Sequence, residues 1–249
     1  MGKSRRIWVV LAAWLMVVIG AGTTVAQAAA VPDPVPRASS ADHAPLPWPP
    51  PPSCPATGIA GSQTDQPPVQ LEPYYRGDWR LGPAVLPRVG PVAALLRGYH
   101  RTDALTPKQF IACYWDPTAA GNQGGWRYPP NGGFQGDPVA VVLQAGQYLD
   151  RFGPNTGRFL APYGGDYAER ALPPSNLDTF EVRYPNNYHV FRILKTFTAD
   201  GGPAAPWFGQ PGEGLQYRLD DKYFPGEVVP PEHANTQWLI DHQYLAPVN

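Results

Sequence analysis

Proline dominates the segment from residue 31 to residue 53, which reads VPDPVPRASSADHAPLPWPPPPS. Each proline fixes its own φ and removes a backbone donor, so a run this dense disfavours helices and sheets. The segment therefore predicts an extended, semi-rigid linker without a core. About 195 of the 249 residues follow it, which is enough chain for one good core or two small ones.

The first 30 residues have the three parts of an export signal. Lys3, Arg5 and Arg6 form a basic start, IWVVLAAWLMVVIGAG is an apolar stretch, and AQAAA offers small residues for cleavage. We predict a signal peptide over residues 1–30, a secreted protein, and no membrane association after cleavage. Two alternatives stay open, because the apolar stretch is at the short edge for a transmembrane span and SRRIWVV resembles a twin-arginine signal.

The charge balance is close to neutral, with 19 Lys and Arg against 20 Asp and Glu. Loss of the predicted signal peptide removes Lys3, Arg5 and Arg6, which leaves 16 basic residues and a net charge of about −4. This balance gives no indication of a polyanionic partner. We therefore expect neither nucleic acid nor an anionic membrane as a partner.

Two cysteines, Cys54 and Cys113, are present. In an exported protein an even pair most simply forms a disulfide, which here would join the end of the linker to a helix. The alternative is a pair of buried free thiols. A zinc site is not expected, because there is no Cys-x-x-Cys and the five histidines are scattered.

Residues 54–125 predict a loop-rich region with two short helices, which we expect to cap a larger domain. TPKQFIACYWD carries the better helix signal, because Thr106, Pro107 and Gln109 predict a capping box with proline at the first helical position. PVAALLRGYH predicts the other helix. The run AAGNQGG, residues 119–125, marks the expected domain boundary.

Residues 126–249 change to strands and turns. PVAVVLQ and QYLDRF predict a β-hairpin, RFLAP and LQYRLD predict short strands, and NYHVFRILKTF predicts the longest strand. NTQWLIDHQYL predicts a closing amphipathic helix. The sequence therefore predicts an α+β fold, in which a compact antiparallel β-sheet domain carries a small helical, loop-rich N-terminal cap.

Familiar hydrolase patterns are absent, since the chain has no Gly-x-Ser-x-Gly, metalloprotease or P-loop motif. Carboxylate pairs for glycoside cleavage are conceivable from Asp150, Asp166 and Glu169. Arg151 and Arg170, 19 residues apart, leave two alternatives. They form surface salt bridges without function, or they are two guanidinium forks aimed at a pyrophosphate.

The segment GGPAAPWFGQPGEGLQYR, residues 201–218, also leaves two alternatives. Trp207 is either a core residue or part of a pocket wall. Gln216, at the start of a predicted strand, is either a solvated surface residue or part of a site.

Six motifs resemble, in order, the tuberculosis-necrotizing-toxin (TNT) family of NAD glycohydrolases. They are YPPNGGF, LDRFGPNTGRFLAPYGG, ERALPPSNL, YPNNYHVFRILK, APWFGQPGEGLQY and LIDHQYL. RLGPAVLP and the ALTPKQF helix also resemble the N-terminal part of the secreted fungal NADases of that family. The resemblance implies a TNT-like NAD glycohydrolase domain over residues 126–249, preceded by a cap over residues 54–125.

The resemblance also implies roles for individual residues. The phosphate-facing arginine of the family falls on Arg151, the aromatic residue at the nicotinamide end on Phe159, and the second arginine on Arg170. The catalytic glutamine of the PG-x-G-x-Q element falls on Gln216, with Arg151 as its catalytic partner. Trp207 is expected to line the pocket.

A glutamine is chemically sufficient for this reaction, because nicotinamide leaves NAD⁺ as a neutral molecule and needs no general acid. The enzyme must supply positioning and stabilise an oxocarbenium-like transition state. An amide can hold a ribose hydroxyl or the attacking water without titrating. We therefore expect release of nicotinamide and ADP-ribose from NAD⁺, with NADP⁺ accepted as well.

We expect no required cofactor. Fungal members carry an acidic C-terminal tail associated with calcium, whereas this chain ends in YLAPVN. Asp220, Asp221 and Glu227 are then the remaining candidates for a calcium site. The resemblance also makes a homodimer an expected assembly, and an enzyme that drains NAD implies either secretion in an unfolded state or an inhibitor protein in its producer.

Two rival functions make different predictions. An ADP-ribosyltransferase would use the same pocket but pass ADP-ribose to a protein acceptor. A non-catalytic module that binds cell-wall glycans would display Trp207 and tyrosines as an exposed row.

Overall fold

Nine β-strands and four α-helices form the regular structure in the computed structural model, which describes Cys54 and residues 73–249. The α-helices are α1 (Gly90–Leu95), α2 (Pro107–Tyr114), α3 (Ala119–Asn122) and α4 (Thr236–Asp241). The strands are β1 (Trp115–Asp116), β2 (Gly125–Trp126), β3 (Val139–Leu143), β4 (Tyr148–Phe152), β5 (Phe159–Pro162), β6 (Tyr188–Ile193), β7 (Phe197–Pro203), β8 (Leu215–Arg218) and β9 (Leu245–Pro247).

The predicted signal peptide and linker lie outside the described residues. Within the described part of the chain, no helix combines the length and the apolar character needed to cross a membrane.

Strands β3 to β9 form one seven-stranded sheet in the order β3-β7-β8-β5-β4-β6-β9. Every pair of neighbouring strands in it is antiparallel. Strands β1 and β2 form a separate two-stranded hairpin. The predicted α+β class with an antiparallel sheet is confirmed.

Helix α2 forms as its sequence predicts. Thr106 Oγ1 accepts a hydrogen bond from Gln109 N at 3.2 Å, and Gln109 Oε1 accepts one from Thr106 N at 2.9 Å, which completes the capping box. Cys113, in the last turn, forms the predicted disulfide with Cys54. Phe110 on the same helix is fully buried, so the packing of this side chain stabilises α2 in addition to the capping box.

The prediction of a hairpin between β3 and β4 is wrong. β3 pairs with β7 and β4 pairs with β6, in a register that continues across the bend between them. Gly146 N donates to the Ile193 carbonyl oxygen, and Ile193 N donates to the Gln147 carbonyl oxygen, both at 2.8 Å. Residues 139–152 and 188–203 therefore form one long antiparallel ribbon that bends sharply. A turn signal between two apolar runs fits such a corner as well as it fits a reversal.

The closing helix is shorter than the sequence predicts. Asn235 caps α4 by accepting a hydrogen bond from Trp238 N at 2.8 Å, and the helix ends at Asp241. Leu245, predicted as its last residue, instead begins β9 beside β6. It is almost fully buried there, so sheet pairing and burial at the sheet's edge outweigh continuation of the helix.

Aromatic packing joins the two predicted domains. The rings of Phe110 and Tyr114 in α2 lie 6.4 Å and 5.1 Å from the ring of Phe208, between centroids. The boundary predicted between residues 125 and 126 falls within β2, which pairs with β1. All of the described residues belong to one compact unit, so the cap and the sheet are parts of the same body.

Candidate active site

A cavity of about 610 Å³ lies beside the connection between β4 and β5. Its volume is within the range of roughly 300 to 1,000 Å³ that is usual for cofactor and small-molecule sites. Four of the five residues predicted to form a binding site line it, namely Arg151, Phe159, Arg170 and Gln216. The fold thus brings together residues that are widely separated in the sequence.

The guanidinium group of Arg151 fills the inside of the β4–β5 turn. Its Nε donates to the Gly153 carbonyl oxygen at 3.1 Å, and its Nη1 donates to the Phe159 carbonyl oxygen and to Thr236 Oγ1, both at 2.9 Å. Gly157 leaves room for it, because a Cβ at this position would lie 2.8 Å from Cζ of the guanidinium. Gly157 in the segment DRFGPNTGRFLAP therefore makes room for the guanidinium group of Arg151, around which the turn folds.

Arg151 is buried without an opposite charge. It forms no ion pair with any carboxylate of the described residues, and Asp150 points to the other face of β4, as neighbours in a strand do. Burial lowers the pKa of Arg151 to about 10, so the group stays protonated at neutral pH. A buried charge without a partner is costly, and an anion in the cavity would supply that partner.

Arg170 has the opposite environment. Its Nη1 and Nη2 donate to the two carboxylate oxygens of Asp150 at 2.5 Å and 3.0 Å, and Nη2 also donates to the Gly165 carbonyl oxygen at 2.8 Å. The Tyr188 hydroxyl donates to the same carboxylate at 2.8 Å. Burial by itself would lower the pKa of Arg170, but the Asp150 carboxylate outweighs it and raises that pKa. Arg170 thus takes the salt-bridge alternative, in a buried pair rather than at the surface.

Asp150 is consequently unsuited to act as an acid in glycoside cleavage. It is fully buried, and the Gly164 amide donates to it at 2.9 Å in addition to Arg170 and Tyr188. Its role in the described structure is to hold and neutralise Arg170.

Gln216 lies in β8, opposite Gly202 of β7. Its amide nitrogen donates to the Gly133 carbonyl oxygen at 2.7 Å. This bond orients the amide, while Oε1 accepts no hydrogen bond from a residue that the structure describes. Because Gln216 lines the cavity, that oxygen can accept a hydrogen bond from a hydroxyl group or a water molecule.

Two aromatic rings give the cavity apolar surface. Phe159 is 38% exposed, and its ring packs 6.4 Å from that of Phe134. Tyr128, which the sequence analysis did not single out, also lines the cavity and is 60% exposed. Exposed rings of this kind suit stacking against a flat heterocycle.

Trp207, the fifth predicted residue, does not line this cavity. It is 8% exposed, donates from Nε1 to the Arg127 carbonyl oxygen at 2.6 Å, and packs 6.1 Å from Tyr114 between ring centroids. Its place is the core position that the sequence left open as an alternative. A buried Trp207 also contradicts the exposed aromatic row that a glycan-binding module would display.

The three acidic residues considered for calcium have separate surroundings. Asp221 accepts a hydrogen bond from His233 Nδ1 at 2.6 Å, and Glu227 accepts one from the Tyr244 hydroxyl at 2.9 Å. Asp220 instead caps a short 3₁₀ helix. Across Cys54 and residues 73–249, no group of three or more His, Cys, Asp or Glu side chains is placed to hold a metal ion.

Thr236 is a site residue that the sequence analysis missed. It is fully buried at the start of α4 and reaches Arg151 across 85 positions of the chain. A threonine at the start of a helix usually satisfies backbone groups, so no local pattern pointed to this contact.

Comparisons with known proteins agree with the resemblance. The model of the family described as tuberculosis necrotizing toxin (TNT) matches residues 142–248. The chain is 48% identical over 182 residues, 71% of each protein, to the conidial surface nicotinamide adenine dinucleotide glycohydrolase nadA of Aspergillus fumigatus.

Two solved structures are also similar. One is tuberculosis necrotizing toxin complexed with its immunity factor, at 22% identity and a TM-score of 0.43, covering 57% of this chain and 71% of that one. The other is Rhs1-CT in complex with its cognate immunity protein, at 14% identity and a TM-score of 0.28, covering 49% of this chain and 83% of that one.

Proposed function

The chain belongs to the tuberculosis necrotizing toxin (TNT) family, and on that premise we propose that it is an NAD⁺ glycohydrolase. It cleaves the bond between nicotinamide and ribose and releases nicotinamide and ADP-ribose. The name of its relative in Aspergillus fumigatus, a nicotinamide adenine dinucleotide glycohydrolase, supports this activity.

One structural observation carries the proposal further. A buried arginine without a carboxylate partner, Arg151, lines the same cavity as the amide of Gln216 and the exposed ring of Phe159. A dinucleotide offers what these groups need: phosphates for the arginine, hydroxyl groups for the amide, and a flat ring for the aromatic face.

The reaction requires little acid–base chemistry. The pair of electrons in the bond between C1′ of ribose and the pyridinium nitrogen passes to that nitrogen, and nicotinamide leaves uncharged. The oxygen of a water molecule bonds to C1′ and gives a proton to solvent. Gln216 Oε1 positions the attacking water or a ribose hydroxyl, Phe159 packs against nicotinamide, and Arg151 holds a phosphate, so that the reactants are aligned.

The test is nicotinamide release from NAD⁺ by the purified chain without its signal peptide, beside Gln216→Ala and Arg151→Ala. Gln123→Ala is the matched control for the first variant, because Gln123 is exposed and does not line the cavity. We expect the wild type and Gln123→Ala to release nicotinamide and both site variants to lose at least ~100-fold in kcat/KM. A folded wild-type protein that releases none, with or without added calcium, would overturn the proposal.

The same assay separates hydrolysis from transfer to a protein. A hydrolase consumes NAD⁺ at full rate in buffer alone. A transferase would consume it slowly until an acceptor protein is added, and would leave that acceptor labelled with ADP-ribose.

Substrate range and setting are further parts of the proposal. NADP⁺ should be cleaved as well, which the same assay checks directly. The predicted signal peptide and the conidial-surface location of the relative support action outside the producing cell. A homodimer, an inhibitor protein in the producer and calcium dependence stay predictions, to be checked by light scattering, by co-purification and by adding a chelator to the assay.

A further inference from the structure

Three residues on neighbouring strands form a row across the sheet. Arg218 of β8 lies opposite Asp200 of β7 and, on its other side, opposite Phe159 of β5. Residues opposite each other in a sheet share a face, and so do residues two apart in one strand, such as Gln216 and Arg218. Phe159 and Gln216 both line the cavity. Arg218 is therefore the neighbour of two site residues on one face of the sheet.

The guanidinium group of Arg218 packs against the loop formed by residues 131–134. Its Cζ lies 5.6 Å from the centroid of the Phe134 ring. A Cβ at Gly132 would overlap Nη1 of the guanidinium and would lie 3.4 Å from its Cζ. The φ angle of Gly132 is 59°, which glycine adopts without strain. The loop thus contacts Arg218 at two positions, the backbone of Gly132 and the ring of Phe134.

The same loop contacts two residues of the site. The Gly133 carbonyl oxygen accepts hydrogen bonds from Gln216 Nε2 at 2.7 Å and from Ala205 N at 2.9 Å. The ring of Phe134 is fully buried and lies 6.4 Å from the ring of Phe159, between centroids. A displacement of the loop would therefore move the Gln216 amide and remove the packing that supports the Phe159 ring.

Arg218 is itself held by a buried carboxylate. Its Nη2 donates to Asp200 Oδ2 at 2.9 Å, and Asp200 is buried. Arg218 does not line the cavity, so it can act on the reaction only through other residues. We propose, on the basis of the function proposed above, that Arg218 is a positioning residue. It holds the loop of residues 131–134, and through that loop it aligns the Gln216 amide and the Phe159 ring for the reaction.

The test compares Arg218→Met and Arg218→Lys with the wild type in nicotinamide release from NAD⁺. Methionine removes the bond to Asp200, whereas lysine can keep that ion pair but has no planar group to lie against Gly132 and Phe134. Lys222→Met is the matched control. Lys222 Nζ also donates to Asp200, at 2.8 Å, but its side chain is 52% exposed and does not line the cavity.

The expected effect is on turnover. We expect kcat of Arg218→Met to fall about tenfold, because the aligned geometry is lost, while KM changes by less than about threefold. Arg218→Lys should fall between this variant and the wild type, and Lys222→Met should match the wild type. If Arg218→Met does not fold, Arg218→Lys decides the question, and a wild-type kcat in that variant overturns the proposal.

The NMR signals of the Gln216 side-chain amide keep this proposal separate from the proposed activity. They are identified by their loss in Gln216→Ala, and the bond to Gly133 should slow exchange of the amide protons with solvent. Faster exchange in Arg218→Met, with no change in Lys222→Met, supports the role of Arg218 even if nicotinamide is never released. A wild-type exchange rate in Arg218→Met, an unchanged kcat in an active enzyme, or an equal effect in Lys222→Met overturns it.

Discussion

Thr236 Oγ1 accepts a hydrogen bond from Arg151 Nη1 at 2.9 Å and donates one to the Gly157 carbonyl oxygen at 3.0 Å. The Thr236 amide donates to the same carbonyl at 3.0 Å. The hydroxyl proton is therefore committed to Gly157, and an oxygen lone pair faces the guanidinium. One buried hydroxyl thus connects α4 with the turn between β4 and β5 and orients the arginine within it.

Replacement of Thr236 by valine keeps the shape of the side chain and removes this bond. A buried donor of Arg151 then lacks a partner, so we expect the free energy of unfolding to fall by about 1–3 kcal/mol and kcat/KM to fall about tenfold. Thr236→Ser retains the hydroxyl and should restore most of both. Urea denaturation and nicotinamide release measure the two effects, and equal behaviour of the valine and serine variants would contradict the assigned role.

The buried pair of Asp150 and Arg170 should show strong coupling. Asp150→Asn or Arg170→Gln leaves one buried charge without its partner, at a cost of about 3–5 kcal/mol in the free energy of unfolding. The double variant leaves no buried charge of this pair, so its cost should be well below the sum of the two single costs. Chemical denaturation of the four proteins gives the coupling energy, and additivity within about 0.5 kcal/mol would argue against a tight pair.

Gly157→Ala should disturb Arg151 directly. The added Cβ would lie 2.8 Å from Cζ and from Nη1 of the guanidinium, so the arginine must move, and we expect kcat/KM to fall at least tenfold. The same change made in an Arg151→Ala background should cost little more, because the atoms it strikes are gone. A large additional loss in that background would mean that the alanine acts on the turn and not on the arginine.

Asp178 should make stability depend on pH. It is 3% exposed, no described residue donates to either carboxylate oxygen, and burial raises its pKa to about 7, against the opposing charge of Arg101. In the unfolded chain its pKa is 3.8. At pH values between these two pKa values, the folded state therefore binds more protons than the unfolded state. The contribution of Asp178 to stability therefore falls as the pH rises from about 4 to about 7.

Asp178→Asn removes this dependence, because an amide does not titrate. We expect the stability of the variant relative to wild type to be greater at pH 8 than at pH 5, in denaturant titrations at both pH values. Asp137→Asn, at an exposed position, is the control, and its stability should match that of the wild type at both pH values. A difference between variant and wild type that is the same at both pH values would show that Asp178 is ionised throughout.

Local signals predicted α2 well, because its capping box involves residues within one helical turn. The pairing of strands depended on distant partners. Gly146, with φ at 93°, marks a bend in the chain, but only the position of β7 and β6 decides whether β3 and β4 turn back on each other. The antiparallel class of the sheet was therefore predictable and the corner was not.

In the site, too, the contacts of Arg151 and Arg170 depend on residues that are distant in the sequence. The order Asp150-Arg151 suggests a pair, yet neighbouring residues of a strand point to opposite faces, so this pairing could have been excluded from the sequence. The true partner of Asp150 is Arg170, from a different segment, which no local rule indicates. Thr236 is still further from Arg151 along the chain, and its contact arises from the way α4 packs on the turn.

The hydrogen bond between Arg151 and Thr236 also affects the point during synthesis at which the protein becomes active. Arg151, Phe159 and Gln216 all precede residue 236, and the ribosome delivers the chain from its N-terminus. A nascent chain that has emerged only as far as β8 carries these three side chains but lacks the hydroxyl and the helix that position the arginine. Full activity should therefore await α4, by which time the predicted signal peptide, the first segment to emerge, is already exposed to the export machinery.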